Sequence, residues 1–138
     1  MRWTAITRTP GNSYVNAISS TQARIDLDEA RRQHTAYCHA LGGLGIEVIT
    51  LPPDERFPDG CFVEDAVVVK NGRALLTHSG ALSRQGEGES LRPTLAQHGL
   101  EIAQVQVPGT LGIATFQAGT TRYTVSFNSL GASKVEER

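Results

Sequence analysis

The sequence predicts an α/β chain built from helix–strand units that recur. Three observations predict it. Helical and strand-like segments alternate, in the order β, then αβββ, then αβββ. Gly45-Ile46-Glu47-Val48 and Gly99-Leu100-Glu101-Ile102 share one pattern, each closing a helix and opening a strand. Asn71-Gly72, between two apolar runs, marks a tight hairpin because both residues tolerate positive φ. Repetition at this spacing fits stacked supersecondary units, as in a propeller-like array, and it also fits a plain α+β sandwich. Pattern alone leaves both open.

The elements follow in order. Residues 3–8 alternate as a strand, stopped by Pro10-Gly11. Asp26 is suited to cap a helix, with Glu29 as its capping-box partner three residues on. That helix carries Ala30, His34, Tyr37, Cys38 and Leu41 as its stripe and ends at Gly42-Gly43 and Gly45. Residues 46–51 form a buried strand. Residues 62–69 and 74–77 flank the turn Lys70-Asn71-Gly72-Arg73. A second helix lies between Gly86 and His98, with Pro93 either at its true start or removing one early hydrogen bond. Strands follow at 100–107, 113–117 and 122–127, and the polar end, 133–138, is expected to fray.

The 138 residues suffice for one domain with a core. A net charge of -1 offers no basic field for nucleic acid or an anionic membrane. No apolar run approaches the roughly 18 residues of a membrane span. The N-terminus reads as a short mixed strand and not as the apolar core of a signal peptide. Two cysteines, Cys38 and Cys61, make neither a disulfide framework nor a zinc pattern. A cytoplasmic protein with reduced thiols and no bound metal is the expectation.

The stretch from Leu51 to Asp65 gathers five carboxylates (Asp54, Glu55, Asp59, Glu64, Asp65) and Arg56 around a Pro-rich turn. Asp59, between Pro58 and Gly60, sits in that turn, where an acid ordinarily caps local N–H groups. Glu64 and Asp65 are expected on an apolar strand, facing opposite sides. Burying carboxylates costs several kcal/mol, roughly, unless a cation or donors meet them. Arg84, at a strand-to-helix junction, either supplies that cation or grips a ligand carboxylate. The residues alone leave open a structural ion-pair network and a binding site.

Pro52-Pro53-Asp54-Glu55-Arg56-Phe57-Pro58-Asp59 followed by Phe62-Val63-Glu64-Asp65 resembles the dimethylarginine dimethylaminohydrolases, of the superfamily that also holds arginine deiminases and amidinotransferases. Arg8-Thr9-Pro10, Ser13-Tyr14-Val15-Asn16, Gln33-His34-Thr35-Ala36-Tyr37, Leu75-Leu76-Thr77, Ser83-Arg84 and Pro108-Gly109-Thr110-Leu111 extend the similarity. It covers about residues 4–111. The resemblance implies a five-bladed α/β propeller of ββαβ modules, of which this chain holds about two. It implies hydrolysis of Nω-methylated arginines to citrulline and methylamines without a cofactor. A cysteine thiolate attacks the guanidinium carbon, a histidine moves protons, and carboxylates hold the planar cation. Carried over by motif, Asp65 grips the guanidinium. Asp59 meets the substrate α-ammonium, together with the backbone carbonyl of Ile18. Arg84 meets the substrate carboxylate, and Glu64 is a supporting acid.

The chain departs from that pattern in three places. Gln85 stands where the family has a second arginine. Gly112-Ile113-Ala114-Thr115 lacks the acid that would partner the histidine. The family's histidine and nucleophilic cysteine come later than His98 and Cys61, the last of each here. The expectation is therefore 1–111 as the N-terminal part of the propeller and 112–138 as a divergent tail, frame-shifted or frayed, on a truncated product with no catalytic residue of its own. Acids on both sides of Cys61 disfavour its thiolate. His34 and Cys38 share a helical face at i, i+4, where core packing is the reading, with no third ligand spaced to complete a metal site. Three functions stay in view: an inactive dimethylargininase-like half, a non-catalytic module that binds arginine-like ligands or pairs with another subunit, and an arginine deiminase-type activity. The expected ligand is a small arginine-type molecule, and exposed module faces point to a homo-oligomer.

Overall fold

The computed structural model describes residues 3–21 and 23–106, together with three further strands as backbone. The expected turn at Pro108-Gly109-Thr110-Leu111 lies outside the described residues. The chain is α/β and divides into two compact units, Met1–Val63 and Glu64–Arg138.

The first unit is a strand–helix–strand crossover. β1 (Thr4–Arg8) and β2 (Glu47–Leu51) pair in parallel, Thr4 opposite Glu47 and Arg8 opposite Leu51. A parallel pair needs a long connection, and α1 (Leu27–Gly43) provides it. Asp26 starts α1 as the sequence predicts, its Oδ1 accepting the Glu29 N–H at 3.0 Å. The reciprocal half of the capping box does not form. The Glu29 carboxylate turns instead to Arg32 and Gln33, which lie one helical turn on and offer charged or amide donors. Gly45, at φ 79°, lets the chain leave the helix.

The second unit repeats the crossover. β4 (Arg73–Leu76) and β5 (Glu101–Gln104) are parallel. Their connection contains a 3₁₀ turn over Glu87–Leu91 and then α3 (Arg92–Gln97). Pro93 lies in the first turn of α3, so the predicted helix starts late, where the missing N–H leaves no bond unmade. The two helix ends match bond for bond. Ile46 and Leu100 donate to the carbonyls of Leu41 and Leu95, both at 3.2 Å. Gly45 and Gly99 donate to Gly42 and Ala96, both at 2.9 Å. Glu47 and Glu101 then open their strands by donating to Trp3 and Gly72, at 2.9 and 3.0 Å. The short echo in the sequence is thus a repeat of backbone geometry.

β3 (Val67–Lys70) joins β4 in antiparallel through the predicted hairpin, with Asn71 at φ 51° and Gly72 at φ 75°. β6 (Gly112–Ala118), β7 (Thr121–Phe127) and β8 (Ser133–Glu137) form a separate antiparallel sheet in that order. The expected fraying of the end is therefore corrected. Its backbone is an edge strand, where ladder hydrogen bonds to β7 stand in for an apolar pattern.

A second correction concerns the acidic segment. Residues 62–69 are not one strand: Val63–Ala66 is a single helical turn, α2, ahead of β3. Phe57, Gly60 and Phe62 donate back to Asp54, Phe57 and Asp59, and this series of reverse turns runs into α2. Glu64 and Asp65 occupy its first turn, where the helix dipole favours acids. Both are exposed, so no burial of carboxylates on a strand arises.

The units differ in what they bury. Ala66, Ala74, Leu76, Leu91 and Leu95 form an apolar core in the second. In the first, Thr7, Arg8 and Asp59 are buried, while among its described residues no Leu, Ile, Val, Phe or Ala side chain is.

Candidate functional site

In the first unit, the Pro-rich turn uses its acids to hold the loop after β1. Glu55 accepts the Asn12 and Ser13 N–H groups at 2.8 and 2.7 Å. These bonds cap the 3₁₀ turn Asn12–Asn16, whose own N-cap residue, Gly11, offers no side chain. The hydrogen bonds draw the Glu55 carboxyl below the ordinary glutamate range. From the other side Arg31 donates to the Pro10 carbonyl at 3.0 Å and to Asn12 Oδ1 at 3.1 Å. Asp54 receives a fork from Arg56, Nε to Oδ1 at 2.9 Å and Nη2 to Oδ2 at 2.7 Å. Arg8 Nη1 lies 4.0 Å from Oδ2 and also donates to the Pro52 carbonyl at 3.2 Å. The Arg56 bonds hold the Asp54 carboxyl below its usual range.

Asp59, only 3% exposed, meets the Ile18 backbone. The Ile18 N–H reaches both carboxylate oxygens at 3.2 Å. The structure therefore brings these two predicted residues together, through the N–H where the carbonyl was expected to act with Asp59. Tyr14 stands beside them. Burial raises its pKa first, and the neighbouring Cys61 and Asp59 raise it further. Its ring packs 6.0 Å from that of Phe62.

In the second unit, Asp65 and Arg84 are joined. Arg84 Nη1 donates to Asp65 Oδ2 at 2.8 Å. On its other edge Arg84 forks onto Glu87, Nε at 3.0 and 3.1 Å from the two oxygens and Nη2 at 2.8 Å. Burial works against the Arg84 charge, and the bonds and charges of Glu87 and Asp65 outweigh it, so its pKa is raised. The Asp65 side chain is half exposed, while that of Glu87 is buried. Thr77 fixes the Asp65 backbone, its Oγ1 donating to the Asp65 carbonyl at 2.7 Å. Glu64 is exposed on the same helical turn.

Sequence reasoning missed Glu87, Tyr14 and the partners of Arg8. Glu87 had a signal, an acid three residues beyond an arginine in a turn-rich segment. Cys38 and His34 do share a face of α1, with Sγ 3.8 Å from both ring nitrogens. The thiol also lies 3.5 Å from Thr7 Oγ1, and burial lowers the His34 pKa. Among the described residues no group of three or more His, Cys, Asp or Glu side chains is placed to hold a metal. No described helix is long and apolar enough to cross a membrane.

No family model matches the chain. Against single proteins the similarity is extensive. The chain is 39% identical over 108 residues to N(G),N(G)-dimethylarginine dimethylaminohydrolase of Pseudomonas aeruginosa, a match covering 77% of this chain and 42% of that one. A crystal structure of dimethylarginine dimethylaminohydrolase, a histidine-to-glycine form as its adduct with S-methyl-L-thiocitrulline, superposes with a TM-score of 0.79 at 36% identity, covering 86% of this chain and 48% of that one. The Pseudomonas aeruginosa enzyme in complex with citrulline, a cysteine-to-serine mutant, gives a TM-score of 0.74 at 38% identity, over 79% of this chain and 44% of that one. The chain spans less than half the length of these relatives. Taken with the FPD and FVED residues already placed, these matches make the chain a dimethylarginine dimethylaminohydrolase-like N-terminal half.

Proposed function

We propose that this chain provides the substrate-side residues of a dimethylargininase-type site and binds arginine-like ligands, methylated arginines first among them. One observation carries the reading: Asp65 is a half-exposed carboxylate held from behind by the less exposed Arg84. A planar guanidinium matches such a carboxylate. In this reading Asp65 takes the ligand guanidinium, Asp59 with Ile18 takes the α-ammonium, Arg84 takes the α-carboxylate and Glu64 supports Asp65. Arg84 retains N–H donors beyond those bonded to Asp65 and Glu87, because a guanidinium carries five. The relative bound to citrulline supports the ligand class. The repeated crossover supports two blades of an α/β propeller.

We further propose that these 138 residues bind without turnover. Cys38 sits among His34, Thr7 and Thr50, with no carboxylate in its bonding shell to hold a cation. Cys61 neighbours Tyr14 and has acids on both sides in sequence. Exposed apolar side chains such as Trp3, Leu44 and Leu82 support association through module faces.

Calorimetric titration with dimethylarginine and arginine tests the reading. Binding that is lost in Asp65→Ala is expected, with no citrulline formed. Absence of binding to the wild-type chain overturns the site, and citrulline production abolished by Asp65→Ala overturns the inactivity. Sedimentation as a stable monomer removes the association.

A further inference from the structure

We propose that Glu87 is the positioning residue for Asp65: it holds and neutralises the Arg84 guanidinium, so that Arg84 orients Asp65 without cancelling its charge. The inference rests on the reading of Asp65 as the guanidinium receptor.

The argument begins with charge. Asp65, Arg84 and Glu87 form a chain of two acids and one cation with a surplus of one negative charge. An arginine 2.8 Å from Asp65, left to itself, makes a neutral pair and competes with any incoming cation for the same carboxylate. Glu87 changes that balance. It is 5% exposed and meets Arg84 through three contacts of 2.8 to 3.1 Å, whereas Asp65 receives a single bond. The less exposed pair is Arg84 with Glu87, and Asp65 is the acid held by the single bond. That is the member of the three that faces solvent.

Geometry argues the same way. Glu87 and Asp65 are mounted on backbone that packs closely. Gly88 follows Glu87, and a Cβ built there would lie 3.1 Å from the Ala66 carbonyl and 3.3 Å from Leu76 Cβ. Ala66 follows Asp65, and its carbonyl accepts the Thr77 N–H at 3.0 Å. The Glu87 segment thus approaches the Asp65 segment as near as a residue without a side chain allows. Arg84 spans the two from a fixed base. Three of its contacts lock it to Glu87, and the remaining one sets which Asp65 oxygen is occupied. A receptor held this way needs little reordering when a flat cation arrives.

The test uses the 138-residue chain and methylguanidinium, a cationic head without the amino-acid end. Nuclear magnetic resonance follows ligand shifts and the Arg84 Nε–H together. In the wild type the Arg84 Nε–H is expected to exchange slowly with water. It remains slow in Asp65→Asn and becomes fast in Glu87→Gln. Methylguanidinium affinity falls about tenfold or more in Glu87→Gln, because one buried negative charge near the receptor is gone. Glu87→Asp keeps the charge and recovers part of that affinity. It also serves as the second variant if Glu87→Gln does not fold. Glu87→Gln binding methylguanidinium as the wild type does, or leaving the Arg84 Nε–H protected, overturns the proposal. A wild type with Arg84 protected and no methylguanidinium binding sinks the reading of Asp65 as receptor and leaves the Glu87 clamp standing.

Discussion

The two units share a crossover and differ in what fills it. In Glu64–Arg138 the short helix α3 and the turn before it bury Leu91 and Leu95, and β4 buries Ala74 and Leu76. In Met1–Val63 the much longer helix α1 buries no residue, and among the described residues the buried side chains are Thr7, Arg8, Pro10 and Asp59. The backbone bonds that end each helix and open each strand are nevertheless equivalent. The lesson is that a repeat can be carried by caps and register alone. Packing is then free to specialise, toward an apolar core in one unit and toward polar fastening in the other.

That contrast can be broken at several points. The largest effect is expected for Leu76→Ala. Leu76 is 0% exposed, and such a truncation in a core costs about 2–5 kcal/mol. Amide hydrogen exchange resolved by residue should show the loss in β3, β4 and β5, with β1 and β2 protected as before. Equal loss in β1 and β2 would show that the apolar core serves both units. Next comes Asp59→Ala, which leaves the part-buried Ile18 N–H without its carboxylate acceptor; the loss of such a hydrogen bond costs about 0.5–1.5 kcal/mol. Exchange at the Ile18 amide should rise sharply while Leu95 stays protected.

Gly45→Ala and Gly99→Ala sharpen the comparison. Each glycine lies in the left-handed region, at φ 79° and 71°, where a side chain costs about 1 kcal/mol. Beyond the adjoining residues no atom lies within 4 Å of a Cβ at either position, so the backbone term dominates. Chemical denaturation should give the same loss for both. A difference well beyond error would break the equivalence of the two caps. The smallest effect concerns pH. Arg56 holds the Asp54 carboxyl below its model-compound value of 3.8. The charged form is thus favoured in the folded state. Its stabilisation is complete above that value and is lost as the pH falls through the lowered one. The acid limb of the stability profile should flatten in Asp54→Asn, and an unchanged profile would remove Asp54 from the account.

Much of this was legible in residues that act locally. Asp26 as a cap, Asn71-Gly72 as a hairpin turn and Gly45 and Gly99 as helix ends each depend on the chain within four residues or so. The recurring Gly-x-Glu pattern was legible for the same reason. The acidic segment was not. Its apolar neighbours suggest a strand, yet a run of reverse turns from Asp54 to Phe62 decides the outcome, and propensity yields to that geometry. The pairing of Asp59 with Ile18 joins residues 41 positions apart; the resemblance placed both at a ligand α-ammonium and implied no bond between them. Glu87 was hidden because its role needs the Arg84 side chain turned back on it. In the strand 133–137 a polar sequence takes its order from pairing with β7.

The parallel register of β1 and β2 also bears on the order in which the chain acquires structure. Thr4 meets Glu47 only after α1 and the loops around it have been traversed, so a long loop must close before any bond rewards it. The β3–β4 hairpin closes across two residues, on a scale of about 1–10 μs for such motifs. Local pairs form before distant ones. The second unit is therefore expected to nucleate folding, although it is the later of the two to leave the ribosome. The first unit waits for its helix. A φ-value near one at the hairpin turn and near zero across β1 and β2 would be the kinetic signature.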